Sequence, residues 1–111
     1  MTDRARLADI AYARSGDKGS HANIGVWARD SRLYPALERA ITAERVQQHF
    51  AQMGCGEVQR FELPNLHALN FVLVDFLDGG GTSNLTVDAQ GKTLGIALLE
   101  MTIDLPEMGN T

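Results

Sequence analysis

The chain has 111 residues, of which 44% are hydrophobic and 22% charged, with a formal net charge of −4. These figures suit a single globular domain, 1–111, with a core from about 6 to 106 that needs neither disulfides nor metal. They argue against nucleic-acid binding, which needs clustered Lys and Arg, and no apolar run of roughly 18 residues offers a membrane span.

In chain order, residues 6–14 alternate, with Ala8, Ile10 and Tyr12 on one side, and predict a first strand. A second strand follows over 22–28, with Ile24, Val26 and Ala28 on one face and Trp27 on the other, and the two can pair as a hairpin. Leu33, Leu37 and Ile41 recur every four residues and predict a helix with Ser31 as its N-cap and Pro35 in its first turn. Thr42 caps a second helix bearing Val46, His49, Phe50 and Met53, ended by Gly54 in the left-handed conformation. Residues 56–63 read as a strand stopped by Pro64-Asn65, and 69–77 as a nearly continuous apolar run suited to a central strand. After the glycine-rich segment 78–84, Asp88 opens a helix to Glu100 with Leu94, Ala97, Leu98 and Met101 on its buried face. The rival is a hairpin turning at Ala89-Gln90-Gly91-Lys92; the helix is favoured although Gly91 and Gly95 each weaken it by about 1 kcal/mol. Residues 102–105 make a last strand. The order predicts an α+β fold, a ferredoxin-like βαββαβ sandwich with an extra N-terminal strand, its antiparallel sheet carrying helices on one face.

The chemistry concentrates in 14–25, where Ser15, Gly16, Asp17, Lys18, Gly19, Ser20, His21 and Asn23 lie between the first two strands. Connections between strands are usually short and plain. A polar one either satisfies its own backbone, contacts a partner, or cradles an anion through converging N–H groups and Lys18. All three uses stay open. It is no Walker loop, lacking both the spacing and a following helix. Gly79, Gly80 and Gly81, with Ser83 just beyond, are a second candidate, either bringing backbone amides to a ligand or partner or rounding a sheet corner.

His21, His49, His67 and Cys55 lack metal-ligand spacing, so no metal is expected. His49 reads as a satisfied helix histidine and His67 as a turn residue. His21 near Asp17 and Ser20 has the residue types of an acyl-transfer triad, which only geometry defines. Cys55 follows a helix C-terminus, whose partial negative charge raises a thiol pKa, so it reads as a packing residue. A lone cysteine, with no signal-peptide core in the first six residues, points to a reducing, cytoplasmic setting. Asp75 reads as exposed on its strand or near its end.

Two segments together, R-S-G-D-K-G-x-x-A-N-I-G-V over Arg14–Val26 and G-G-G-x-S-x-L-x-x-D-x-Q-G-K over Gly79–Lys92, carry a resemblance. With Asn65-Leu66 and Ala68-Leu69-Asn70-Phe71, they resemble the ferredoxin-fold domain of the AtuA-like, acyclic-terpene-utilisation proteins, from about Ala8 to Pro106. His21 stands where that family often has an acidic residue, and Asn84 where a basic one is common. The resemblance implies a protein partner, a larger AtuA-type subunit linked to acyl-CoA or branched-chain catabolism, or else a homo-oligomer. No cofactor is expected, and the resemblance brings no well-established catalytic residues. The expected role is an accessory subunit whose two glycine-bearing segments form one edge. A small stand-alone enzyme, or a CoA- or anion-binding module using 14–25, is the alternative.

Overall fold

Residues 3–76 and 94–105 are described by a computed structural model. Two eight-residue strands, β2 (Ala11–Lys18) and β3 (His21–Ala28), pair antiparallel from Ala11↔Ala28 to Lys18↔His21. Only Gly19 and Ser20 separate them. Gly19 takes φ +62 while Ser20 keeps a negative φ, the pattern of the two-residue turn whose twist matches its strands. The predicted hairpin therefore exists, but the polar segment 14–25 is mostly paired strand rather than loop.

The predicted first strand is broken. β1 (Asp3–Arg6) gives way to one helical turn, α1 (Leu7–Ile10), before β2 begins. Both Leu7 and Ile10 are buried, a spacing of three that strict alternation does not provide. The turn is anchored from outside, Leu7 N donating to Met101 O at 2.7 Å and Ala8 N to Leu99 O at 3.0 Å.

A short 3-10 turn, Ser31–Leu33, leads into α2 (Tyr34–Ala40). Its cap is Asp30 rather than Ser31: Asp30 Oδ1 accepts from Arg32 N at 2.9 Å. The Arg32 side chain and its backbone N–H hold the Asp30 carboxyl below its ordinary range. In α3 (Ala43–His49), Thr42 Oγ1 accepts from Arg45 N at 3.0 Å, as expected of an N-cap, but the helix stops short of the expected Met53, with Phe50 as its C-cap; Gly54, at φ +86, closes the 3-10 turn Ala51–Met53 that follows. His49 Nε2 donates to Ala97 O at 2.8 Å, so this histidine is tied to the fold.

β4 (Val58–Leu63) and β5 (Ala68–Leu73) follow, separated by a 3-10 turn Pro64–Leu66 and by His67 at φ +53. β5 stops at Leu73, short of the predicted 77, because Asp75 turns the chain at φ +54. Residues 94–98 are helical, here α4, in agreement with the helix reading of that segment. β6 (Thr102–Leu105) ends the described chain.

The four-stranded sheet has the order β2-β3-β5-β4, every pair antiparallel. β6 is not in it; β6 pairs with β1 in a separate two-stranded ribbon. The hairpin is the reason, since β2 reaches the free edge of β3 through two residues and occupies it before any distant strand. The fold remains α+β and ferredoxin-like, with its helices on one face. Ala22, Ile24, Val26, Leu69, Phe71 and Leu73 point to that side and are buried, packed with Leu37, Ile41, Val46, Phe50, Leu94 and Leu98.

Polar side chains help to fasten the layers. Arg60 on β4 donates to the α2 carbonyl of Glu38 at 2.6 Å, to Ile41 O at 3.0 Å and to Glu62 Oε2 at 2.8 Å. Tyr34, 7% exposed, donates its hydroxyl to Ala68 O at 3.2 Å. Burial, helped by the Glu38 and Glu62 carboxylates, pushes its phenol above the ordinary value. Above the unfolded phenol's pKa the unfolded chain releases a proton that the native state still holds, so stability falls as pH rises. The wild type should therefore lose stability faster than Tyr34→Phe between about pH 9 and 11. Urea titrations at several pH values check this, and equal slopes for the two proteins would remove Tyr34 from the alkaline transition.

Candidate functional site

The described helices all cover one face of the sheet, and no described helix covers the other. Strand alternation and register arrange that open face in rows. One row runs Tyr12, Trp27, Ala68, Leu63; the next Arg14, Gly25, Asn70, Phe61; the third Gly16, Asn23, Val72, Gln59. Tyr12, Phe61 and Leu63 are 45%, 47% and 41% exposed, an unusual density of large apolar side chains for one surface. Tyr12 lies 6.0 Å from Trp27 between ring centres, and the Arg29 guanidinium stacks 4.2 Å over the Tyr12 ring.

Within this face lies a shallow hollow of about 330 Å³ bordered by Arg14, Gly16, Asn23, Gly25, Trp27 and Asn70, with Ser15 at its margin. It exists because Gly25, directly across from Arg14, and Gly16, two residues along the strand, contribute no side chains. Arg14 is exposed and forms no ion pair with any described residue, and none of the lining residues is acidic.

The predicted site residues separate. Gly16 and Asn23 face the hollow. Ser15 borders it, but its hydroxyl serves the helix layer, accepting from Gly95 N at 2.9 Å. Asp17 pairs with Ala22 and Lys18 with His21 in the backbone ladder. Gly19 and Ser20 form the turn. Gly79, Gly80, Gly81 and Ser83 lie outside the described residues, as does the expected meeting of the two glycine-bearing segments.

At the hairpin tip, Ser20 Oγ donates to Asp75 Oδ1 at 2.9 Å, and the Asp75 backbone N–H donates to His21 Nδ1 at 2.9 Å. Nδ1 thus carries the lone pair, which places the neutral ring's proton on Nε2. In an acyl-transfer triad the imidazole stands between hydroxyl and carboxylate. Here the serine bonds the carboxylate directly and the histidine is held by a backbone amide. Ser20, His21 and Asp75 form a clasp joining the hairpin to the end of β5, and among the described side chains no general base is aimed at the hydroxyl.

Among the described residues no three His, Cys, Asp or Glu side chains converge as a metal site, and no helix is long and apolar enough to cross a membrane. Burial pushes the half-buried Cys55 thiol up, which makes it a poor nucleophile. Its direction matches the sequence expectation, but the cause is desolvation rather than the helix end.

Sequence reasoning missed Arg14 as a site residue, and with it Trp27, Asn70 and Phe61. Alternation over β2 and β3 already aligned Arg14 with Gly16, and Asn23 with Gly25 and Trp27. The partners from β5 and β4 depended on a register that only the folded sheet supplies.

A family model described as the AtuA ferredoxin-like domain matches residues 5–104. Searches of the curated proteins and of the solved structures find no match.

Proposed function

Because the chain belongs to the AtuA ferredoxin-like domain family, we propose that it is an accessory subunit whose open sheet face docks a larger AtuA-type partner. The observation that carries this reading is the set of exposed Tyr12, Phe61 and Leu63 on the sheet face that no described helix covers. Large aromatic residues on an exposed face are the usual energetic centre of a protein interface. Arg14 and Arg29 add the positive charge that interface centres favour. The family's link to acyclic-terpene utilisation supports acyl-CoA, branched-chain or terpenoid breakdown as the setting.

The decisive measurement is affinity copurification of the full chain from its native cell. A larger AtuA-type chain is expected at near-stoichiometric yield. Phe61→Glu should lower that yield roughly tenfold or more, as loss of a central aromatic does, while the melting temperature stays within about 2 °C, since surface changes cost little. Equal yield from the variant, or a chain recovered only with copies of itself, overturns the reading.

A further inference from the structure

We propose that the hollow around Arg14 binds an oxyanion, carboxylate or phosphoryl, carried on an apolar group that lies against Trp27. Two mid-strand glycines, Gly16 and Gly25, carry the argument. Glycine in a strand interior costs conformational entropy and gives up side-chain packing, so it usually marks a bulge or a place where another molecule approaches. Neither residue is needed by the fold. Both have ordinary negative or extended φ, unlike Gly19 and Gly54. A Cβ on Gly16 meets nothing within 4 Å, and one on Gly25 meets Arg14 O and Asn70 Oδ1 at 3.8 Å and the Trp27 ring at 3.9 Å, ordinary contacts. Alanine fits at both positions.

What the glycines leave open is chemically specific. Arg14 supplies a planar fork of donors suited to the paired oxygens of a carboxylate or phosphoryl group. Its charge is uncompensated among the described residues, in a chain whose net charge is −4. Asn23 and Asn70 flank the space with amides able to donate to further oxygens. Trp27, with Tyr12 beyond it, gives the apolar part of the ligand a wall. This inference goes beyond the docking proposal and does not depend on it, because it concerns the isolated chain.

Trp27 is the only tryptophan, so its emission reports directly on the hollow. The purified full chain is titrated with straight-chain carboxylates from acetate to octanoate, and separately with inorganic phosphate, at constant ionic strength. Saturable change in Trp27 emission is expected, with half-saturation at roughly millimolar concentration or below, the scale that small ligands reach at an open site. Saturation by carboxylates with affinity rising along the chain assigns a carboxylate; saturation by phosphate alone assigns a phosphoryl group. Arg14→Gln should weaken binding at least tenfold. Gly16→Val should abolish it while leaving the melting temperature unchanged or higher, because valine suits a strand. A linear, non-saturating response to both series overturns the proposal, as does saturation that Arg14→Gln and Gly16→Val leave intact. The hollow shares Arg14 with the proposed docking face, so the two readings are told apart by Phe61→Glu: Phe61 does not border the hollow, and its substitution should lower copurification while leaving this titration of the isolated chain intact.

Discussion

Replacing Arg60 by methionine is expected to lower folding stability by about 2–3 kcal/mol, the range for hydrogen bonds made by a charged donor in a partly buried site. The guanidinium leaves the edge strand β4 and reaches back under the helices, where it serves the Glu38 and Ile41 carbonyls at the end of α2. The last carbonyls of a helix have no partners within it. Methionine keeps the apolar stem but orphans both acceptors, and it also releases Glu62, which Arg60 holds at 2.8 Å. For a domain of this size the loss corresponds to roughly 10–20 °C in melting temperature. Lysine should recover only part of it, since one ammonium cannot meet three diverging acceptors as a fork does. Thermal unfolding by circular dichroism decides the matter. A methionine variant melting within about 2 °C of wild type would show that water replaces the arginine at no cost.

Gly95→Val should be comparably damaging, at about 2–3 kcal/mol. In most helices replacing glycine is favourable by up to about 1 kcal/mol for alanine. Here a Cβ would lie 3.2 Å from Ser15 Oγ and 3.3 Å from Ser15 N, and the second of these is strand backbone that cannot step aside. The same contact carries the bond from Gly95 N to Ser15 Oγ, so separating α4 from β2 also breaks it. Overpacking of this kind typically costs 1–3 kcal/mol. Alanine at 95 should destabilise less than valine, its helix preference offsetting part of the clash. An alanine variant more stable than wild type would mean that the helix can lift from the strand freely.

Much of this was legible beforehand, for identifiable reasons. Thr42 reads as a helix start and Gly54 as a left-handed stop because capping and the left-handed conformation are local events; Thr42 does cap α3, and Gly54 is left-handed, though it closes the 3-10 turn after α3 rather than α3 itself. The burial of Leu94, Leu98 and Met101 follows from helical spacing alone. The broken first strand was illegible, because Leu7–Ile10 takes its turn from the Met101 and Leu99 carbonyls, more than ninety residues away. Ser15 shows the same limit on the functional side. As a hydroxyl in a polar motif it reads as a ligand contact, yet its oxygen accepts from a helix that the motif gives no hint of. Asp75 is its counterpart, a strand-end carboxylate whose ties to Ser20 and His21 span more than fifty residues.

By itself the sequence determined the class of fold, the family motif and the hairpin. Each depends on periodicity, turn chemistry or residue identity within a short window. Tertiary structure alone decided that the polar motif is a paired strand, that β6 joins β1 rather than the main sheet, and that Arg14, Asn23 and Asn70 gather around two glycines. Those outcomes depend on register between strands distant in the chain. Register is set by competition among all the edges and apolar faces at once, and no local pattern encodes it.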